Sequence, residues 1–314
     1  MKILVTGGAG YIGSIAVKKL IEQNYHVVVI DNLSKGKKEL VDKKADFYQT
    51  DLTNINELEQ VFKKHTFNAV LHFGAYKAVE ESMENAVKYS DNITGTINLV
   101  NCMVKYNIKR LIFSSSAAVY GIPKTDIIQE DAETEPINFY GFTKLNMEMI
   151  MKWYHIVHGI EYIALRYFNV AGDGGLNYVD PDAKNIFPII MEVLTKKREK
   201  LTVFGNDYPT RDGTCIRDYI DINDLIDAHI LAIKSNYSGP LNLSTGTGSS
   251  VLEIIEAVKK VSGKEVIYEI GPRRKGDPAS LVSTNSKAKE VLGWQPKRNV
   301  DEMVKSTLEA YGIK

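Results

Sequence analysis

Cysteine is scarce in this chain: Cys102 and Cys215 are the only two in 314 residues, and they lie far apart. No CxxC pair or Cys/His ligand spacing exists, which argues against a zinc site. Such usage fits a reducing compartment, and the two lone thiols read as core residues. An excess of charge of either sign is also missing, since 39 Lys and Arg balance 39 Asp and Glu. Nothing in that balance points to nucleic acid or an anionic membrane, although a local basic pocket for a phosphorylated metabolite remains compatible with it. Long apolar runs are absent, so no segment reaches membrane-spanning length. The opening Met1–Thr6 is too short an apolar stretch for a secretory leader. A soluble, cytoplasmic protein is expected, and the Asn-x-Ser/Thr triplets at Asn32, Asn92 and Asn242 are read as chance. Internal repeats and low-complexity segments are lacking. The six histidines are scattered, and His155 and His158 share a helix face without an acidic partner motif, so structural roles are expected for all of them.

What is present is a regular alternation. Ile3–Thr6, His26–Ile30, Asp46–Thr50, Ala69–Phe73, Arg110–Ser115 and Glu161–Phe168 are β-branched, apolar runs that read as strands. Between them, Ile12–Gln23, Ile55–Lys64, Val87–Tyr106 and Phe142–His158 carry helical patterns. Continuous apolar strands separated by helices predict an α/β fold, a Rossmann-type doubly wound parallel sheet covered on both faces. The rhythm loosens after Asn169. Ala171–Asn185, rich in Gly, Asp and Asn, reads as a loop. Phe187–Lys197, Leu225–Lys234 and Val251–Val261 read as helices, and Leu201–Phe204, Tyr219–Ile220 and Leu241–Ser244 as strands. The expected domains are a nucleotide-binding domain over 1–169, with elements near 219–245 returning to it, and a smaller C-terminal α/β substrate-binding lobe over 170–314.

Gly7, Gly10 and Gly13 form a GxxGxxG spacing that follows the first strand and opens the first helix. Glycine permits the tight turn and lets backbone approach a pyrophosphate, while the helix N-terminus offers amide donors and a positive dipole end. Asp31 ends the second strand, 18 residues beyond Gly13. An acid there can accept from both ribose hydroxyls and would repel a 2′-phosphate, which favours NAD over NADP. Asp51 and Leu52, after the third strand, can border the adenine. Alternatively, Asp51 or Thr53 caps the helix that begins near Asn54.

Tyr140 and Lys144 are four residues apart, so on a helix they share one face. A tyrosine hydroxyl titrates near about 10, and a neighbouring ammonium favours the phenolate. The pair can therefore act as a general base near neutral pH. Ser114–Ser116 end the fifth strand, where open parallel sheets place their sites. Serine, tyrosine and lysine in this order, downstream of the glycine loop, resemble the short-chain dehydrogenase/reductase superfamily. Further strings narrow the match: Gly7–Gly13, Asp31–Leu33, His72-Phe73, Lys77–Val79, Ser114–Gly121, Arg166–Asn169, Phe204–Thr210, Asp212–Thr214, Arg217–Tyr219 and Gly276-Asp277. Together they are similar to the UDP-glucose 4-epimerase family, in order and over nearly the whole chain.

That resemblance implies a chemistry. Tyr140 would take the proton from the sugar 4-hydroxyl while the C4 hydride passes to NAD, giving a 4-keto sugar that turns over and receives hydride on its other face. Lys144 would lower the Tyr140 pKa and hold the nicotinamide ribose, and Ser116 would hydrogen-bond the sugar oxygen and relay the proton. Gly7, Tyr11, Ile12, Asp31, Asn32, Asp51 and Leu52 match positions contacting the adenosine diphosphate part, with Gly10 and Gly13 in the same loop. Phe73, Lys77, Asn92 and Ser114 match positions along the rest of the cofactor, and Tyr167 one near the nicotinamide. Asn169, Asn185, Ile186, Phe204, Arg217, Tyr219, Val251, Arg274 and Asp277 match positions around the UDP-sugar, to which Lys77, Ser116 and Tyr140 also belong. Arg217 and Arg274 would clamp the diphosphate, and Asp277 would accept from the uridine ribose. A bland alternative pairs Arg217 with Asp218 at the surface. The family also implies a homodimer through the helices near Val87–Tyr106 and Phe142–His158.

Departures from the family pattern bear on specificity. Gly74-Ala75 reverses the expected order after the phenylalanine, and Val170 replaces a proline found in some relatives. Leu281, four residues past Asp277, stands at the family's size gate, where tyrosine excludes N-acetylated sugars and cysteine or serine admits them. Leucine is intermediate, so glucose/galactose interconversion is expected as the main activity, with N-acetylhexosamine turnover open. Rival readings are a 4,6-dehydratase, a UDP-glucuronate decarboxylase and a non-catalytic NAD sensor. Dehydratase relatives carry Asp-Glu just after the serine or threonine of this strand, where this chain has Ala117 and Ala118. A sensor would commonly have lost the tyrosine or the lysine, and this chain keeps both.

Overall fold

The computed structural model describes residues 1–179, 185–274 and 277–313. Gly276 and part of the predicted 171–185 loop lie outside the described residues. Two compact units emerge. The first comprises Met1–Gly121, Glu133–Arg166 and Ile226–Leu241, and the second Ile122–Ala132, Tyr167–Leu225 and the chain from Asn242 onward. The segment that returns to the first unit is thus 226–241, and the short stretch 122–132 groups with the second.

The first unit is built on a seven-stranded sheet. Its strands are β1 (Lys2–Thr6), β2 (His26–Asp31), β3 (Asp46–Gln49), β4 (Ala69–His72), β5 (Arg110–Ser114), β6 (Glu161–Tyr167) and β7 (Gly239–Leu243), in the spatial order β7-β6-β5-β4-β1-β2-β3. β1 to β6 pair in parallel, with Val5 flanked by Val29 and Leu71. Ile3, Leu4, Val5, Val28 and Val29 are fully buried. A parallel strand covered on both faces must be apolar along its whole length, and this makes the runs readable. Helices α1 (Tyr11–Glu22), α2 (Ile55–Lys64), α3 (Ala86–Lys105) and α4 (Phe139–His158) connect the strands. Asn54, rather than Asp51 or Thr53, caps α2, its side chain accepting from the Glu57 amide at 3.3 Å.

The chain runs outward from β1 in one direction through β2 and β3, and in the other through β4, β5 and β6. The order therefore reverses between β1 and β4, the place where open α/β sheets bind ligands at their strand carboxyl ends. α4 begins three residues earlier than its apolar pattern suggests, because Asn138 caps it by accepting from the Gly141 amide at 2.8 Å. Tyr140 consequently sits in the first turn of that helix.

The second unit packs the helices Ile186–Leu194, Val251–Ser262 and Val300–Ala310 around a core that includes Phe187, Ile190, Ile254, Val258, Met303 and Val304. Its strands are short. A four-stranded sheet has the order Ser249–Ser250, Ile216–Arg217, Ser280–Ser283, Ile127–Ile128, and three of these four strands have only two residues. No helix among the described residues is long and apolar enough to cross a membrane.

Candidate active site

The glycine loop leaves β1 in the left-handed region at Gly7, with φ +72°. A Cβ on Gly7 would stand 2.6 Å from the Gly74 nitrogen, and one on Gly13 would stand 2.1 Å from the Gly7 carbonyl oxygen. The bareness of Gly7 thus lets the loops after β1 and β4 touch at the switch point. Gly10 differs, because its nearest protein atom would be 3.5 Å from a Cβ. Its bareness serves no internal packing and leaves an open cradle at the start of α1, a helix with no side-chain cap. Tyr11 and Ile12 follow, half-buried. This arrangement fits a dinucleotide pyrophosphate.

Asp31 is buried and already employed. Its carboxylate accepts from the Ala9 amide at 3.0 Å and from the Leu33 amide at 2.8 Å, tying the glycine loop to the end of β2. Burial raises its pKa against these two donors. Lone pairs remain for ribose hydroxyls, so anchoring the loop and reading the ribose are compatible roles. Asn32 donates to Asp51 at 2.8 Å, and Asp51 also accepts from the Thr53 amide and hydroxyl. Leu52 lies against Gly74 and Gly95. Phe73 stacks near His229 at 4.8 Å, and Lys77 is exposed. Asn92 is buried and grips the Tyr76 backbone in both directions, accepting at 2.8 Å and donating at 3.0 Å. Its first task is therefore to shape the loop after β4.

Ser116, Tyr140 and Lys144, the residues expected to be catalytic, come together at the carboxyl end of β5. Ser116 caps a short 3-10 turn, Ala117–Tyr120. A Cβ on Gly141 would lie 2.5 Å from the Ala118 carbonyl oxygen, so this glycine lets the first turn of α4 press against that turn. The Tyr140 amide donates to Ser82 at 3.1 Å, and the Ser116 hydroxyl, which accepts from the Ala118 amide at 3.2 Å, lies close enough to the Tyr140 phenol to lower its pKa. Lys144 is buried, donates to the Ser114 carbonyl at 2.7 Å, and holds its ammonium 5.8 Å from the centre of the Tyr140 ring.

The expected acidification of Tyr140 by Lys144 requires correction. Burial raises the Tyr140 pKa, and the neighbouring Ser116 hydroxyl opposes it. Burial also drives Lys144 down to about 7, against the attraction of Glu148. Desolvation dominates both groups and moves their values apart from nearly equal starting points, so burial by itself favours the neutral phenol and the neutral amine. The charged forms that a base needs are supported by neighbours: Ser116 favours the phenolate and Glu148 favours the ammonium.

In the second unit, Arg217 does not pair with Asp218. Its guanidinium forms a close ion pair with Asp277 and donates to the Ile216 carbonyl at 2.7 Å. Asp218 is buried beneath it, accepting from the Thr245 and Gly246 amides at 2.7 and 3.1 Å. The two residues expected to divide diphosphate and ribose between them thus satisfy each other here. Arg274 lies 4.0 Å over the Phe204 ring. Asn169 donates to the Asp218 carbonyl at 3.1 Å, and Asn185 caps the helix opening at Ile186 while donating to Val170 at 3.1 Å. Tyr219 is buried against Phe187, Tyr167 is buried, and Val251 opens its helix. Leu281 is half-buried and stands opposite Arg217 in the sheet register.

Sequence reasoning passed over Glu148, Ser115 and the Arg166 side chain. Glu148 accepts from Arg166 at 3.0, 3.2 and 2.6 Å and takes a further close hydrogen bond from Ser115. The available signal was its place one more turn along α4, four residues past Lys144.

Sheet, glycine cradle and the neighbouring Ser116, Tyr140 and Lys144 together place the molecule among the short-chain dehydrogenase/reductases. Known proteins refine that class. A family model described as GDP-mannose 4,6 dehydratase matches residues 4–307. A UDP-glucose 4-epimerase of Lactobacillus helveticus is 48% identical over 313 residues, covering 97% of this chain and 95% of the relative. Crystal structures of UDP-glucose 4-epimerases align closely. The one from Brucella ovis in complex with NAD has TM-score 0.95 and 37% identity, covering 100% of this chain and 99% of that one. The one from Bifidobacterium longum in complex with NAD+ and UDP has TM-score 0.92 and 36% identity, covering 99% and 98%. The chain belongs to the UDP-glucose 4-epimerase family, within the extended short-chain dehydrogenase/reductases.

Proposed function

We propose that the protein is an isomerase that interconverts UDP-galactose and UDP-glucose through a transient 4-keto sugar, with NAD kept bound between turnovers. The observation that carries this reading is the buried Tyr140 phenol beside Ser116, with the Lys144 ammonium 5.8 Å from its ring. Tyr140 accepts the 4-hydroxyl proton and returns it, Ser116 orients the oxygen, and Lys144 holds the balancing charge. Bound NAD supplies the hydride acceptor and donor, and in its oxidised form a positive charge that favours the phenolate. The Gly10 cradle, Asp31 and Asp51 are the residues suited to its adenosine diphosphate part. Ala117 and Ala118 put no acid or base beside Ser116, which supports epimerisation over elimination of water despite the dehydratase description of the family model.

Arg217 and Asp277 take up the nucleotide by parting from each other, the arginine turning to phosphate and the acid to ribose. Arg274, Phe204, Asn169, Asn185, Ile186, Tyr219 and Val251 complete that set, and Leu281 sets the size of the accepted sugar. UDP-galactose should turn over faster than UDP-N-acetylgalactosamine, as product chromatography will show. Equal or faster turnover of the acetylated sugar rejects this ordering.

Phe142, Met149, Trp153, Ile156 and Val157 are exposed on α4, and Val87 is exposed on α3. An apolar patch of this kind favours a homodimer through these helices, in keeping with a cytoplasmic enzyme. Light scattering should give twice the 35.2 kDa chain mass, and a monomer at micromolar concentration would refute the dimer.

A further inference from the structure

The inward face of α4 carries Thr143, Met147 and Met151, all fully buried, and among them two charged groups, Lys144 and Glu148. Tyr140, Lys144 and Glu148 follow at four-residue intervals and so form one stripe. Glu148 is 6% exposed and Arg166, on β6, is 5% exposed. The guanidinium grips the carboxylate with both Nε and Nη2, and its Nη1 donates to the Tyr120 hydroxyl at 2.9 Å. Ser115, between the strand that ends at Ser114 and the Ser116 turn, donates to the same carboxylate. Two buried cations therefore share one buried anion beside the reacting phenol. The group becomes electrically neutral when Tyr140 is ionised.

Building on the epimerase reading, we propose that Glu148, held by Arg166 and Ser115, is a positioning residue that keeps the Lys144 ammonium charged and aimed at Tyr140. It touches no substrate and acts through the lysine. A buried ion pair is often no more stabilising than apolar packing of the same volume. Its placement one helical turn from Lys144 gives it a second role: it fixes the electrostatic potential at both titrating groups. The other groups that face Lys144 are few. The Phe113 ring lies 4.8 Å from its ammonium, the Ser114 carbonyl accepts from it, and His72 on β4 feels its charge. Burial drives His72 down to about 3, so it stays neutral throughout the working range.

The sign of the effect follows from charge alone. Glu148→Gln leaves the Arg166 cation uncompensated. A more positive surrounding lowers the pKa of phenol and ammonium alike, so both limbs of the pH profile of kcat/KM move down. Arg166→Met leaves the carboxylate in excess and moves both limbs up. Each shift should be about one pH unit. Arg166→Lys keeps the charge, and its limbs should stay where the wild type has them.

The experiment measures kcat/KM for UDP-galactose across pH in the NAD-loaded enzymes, with melting temperature and bound NAD recorded beside it. Opposite displacements in Glu148→Gln and Arg166→Met support the proposal, because destabilisation alone lowers the amplitude in both and moves neither limb. Should one variant fail to fold, the displacement in the other decides. Limbs that stay in place while amplitude or melting temperature falls would overturn the proposal and leave Glu148 a structural residue. Failure of the epimerase reading is separate: it shows as wild-type enzyme without turnover, or as Tyr140→Phe with undiminished turnover.

Discussion

Tyr140→Phe should lower kcat for UDP-galactose by about a thousandfold, within the range general acid–base groups contribute, while the enzyme keeps its NAD. The substitution removes one oxygen and leaves the ring. Everything that places the residue survives: the Asn138 cap, the amide bond to Ser82 and the close fit of Gly141 against the Ala118 carbonyl. Ser116 would retain a hydroxyl but lose its partner, and Lys144 would lose the phenolate that balances it. Neither can replace the phenol as a base, since a serine hydroxyl is far less acidic and the lysine is engaged with the Ser114 carbonyl. The check is steady-state turnover with the NAD content of the same sample measured after denaturation. A variant that kept a tenth or more of wild-type kcat would move the base to another residue.

The second large effect separates two glycines. Gly13→Ala puts a methyl 2.1 Å from the Gly7 carbonyl oxygen and 2.8 Å from its carbon, both backbone atoms of a loop already pressed against Gly74. Overpacking of this kind costs about 1–3 kcal/mol. Part of that strain appears as a lower melting temperature, and the rest as a distorted cradle. As lost affinity the same energy is roughly ten- to a hundredfold, enough for the purified variant to carry little NAD and little activity. Gly10→Ala should behave otherwise. Its methyl meets nothing in the protein closer than 3.5 Å, and the backbone there, with φ −84°, suits any residue. The fold should hold its melting temperature closely, while NAD binding falls because the methyl occupies the face that the pyrophosphate approaches. If Gly10→Ala binds NAD as the wild type does, the pyrophosphate does not lie on this cradle.

What could be read in advance, and what could not, follows from the physics of each element. The strands of the first unit were legible because parallel strands buried on both faces must be continuous apolar runs, as in Lys2–Thr6 and His26–Asp31. The start of α4 was misplaced because the apolar period begins at Phe142, whereas the cap that begins the helix is the polar Asn138. The two-residue strands Ile127–Ile128, Ile216–Arg217 and Ser249–Ser250 are too short to show any period. The helices Val79–Glu84, Ser286–Leu292 and Val300–Ala310 also went unread. Among site residues, the Ser116, Tyr140 and Lys144 set was visible from order and spacing. The Arg217–Asp277 ion pair joins positions sixty residues apart, and only the folded second unit brings them together. The Glu148–Arg166 pair depends on how α4 lies on β5 and β6. The raised Tyr140 and lowered Lys144 pKa values were missed for a different reason. Spacing reports which charges are neighbours, whereas burial decides how much each charge costs.

The central claim is that one bound nicotinamide takes the C4 hydrogen of the sugar and gives the same hydrogen back. It is tested most directly with UDP-galactose carrying deuterium at C4, incubated with the purified enzyme and no added cofactor. The account predicts UDP-glucose with the deuterium still on C4, none of it in the water and the total NAD unchanged. Loss of the label to solvent, or no product until NAD is supplied at every turnover, would contradict it.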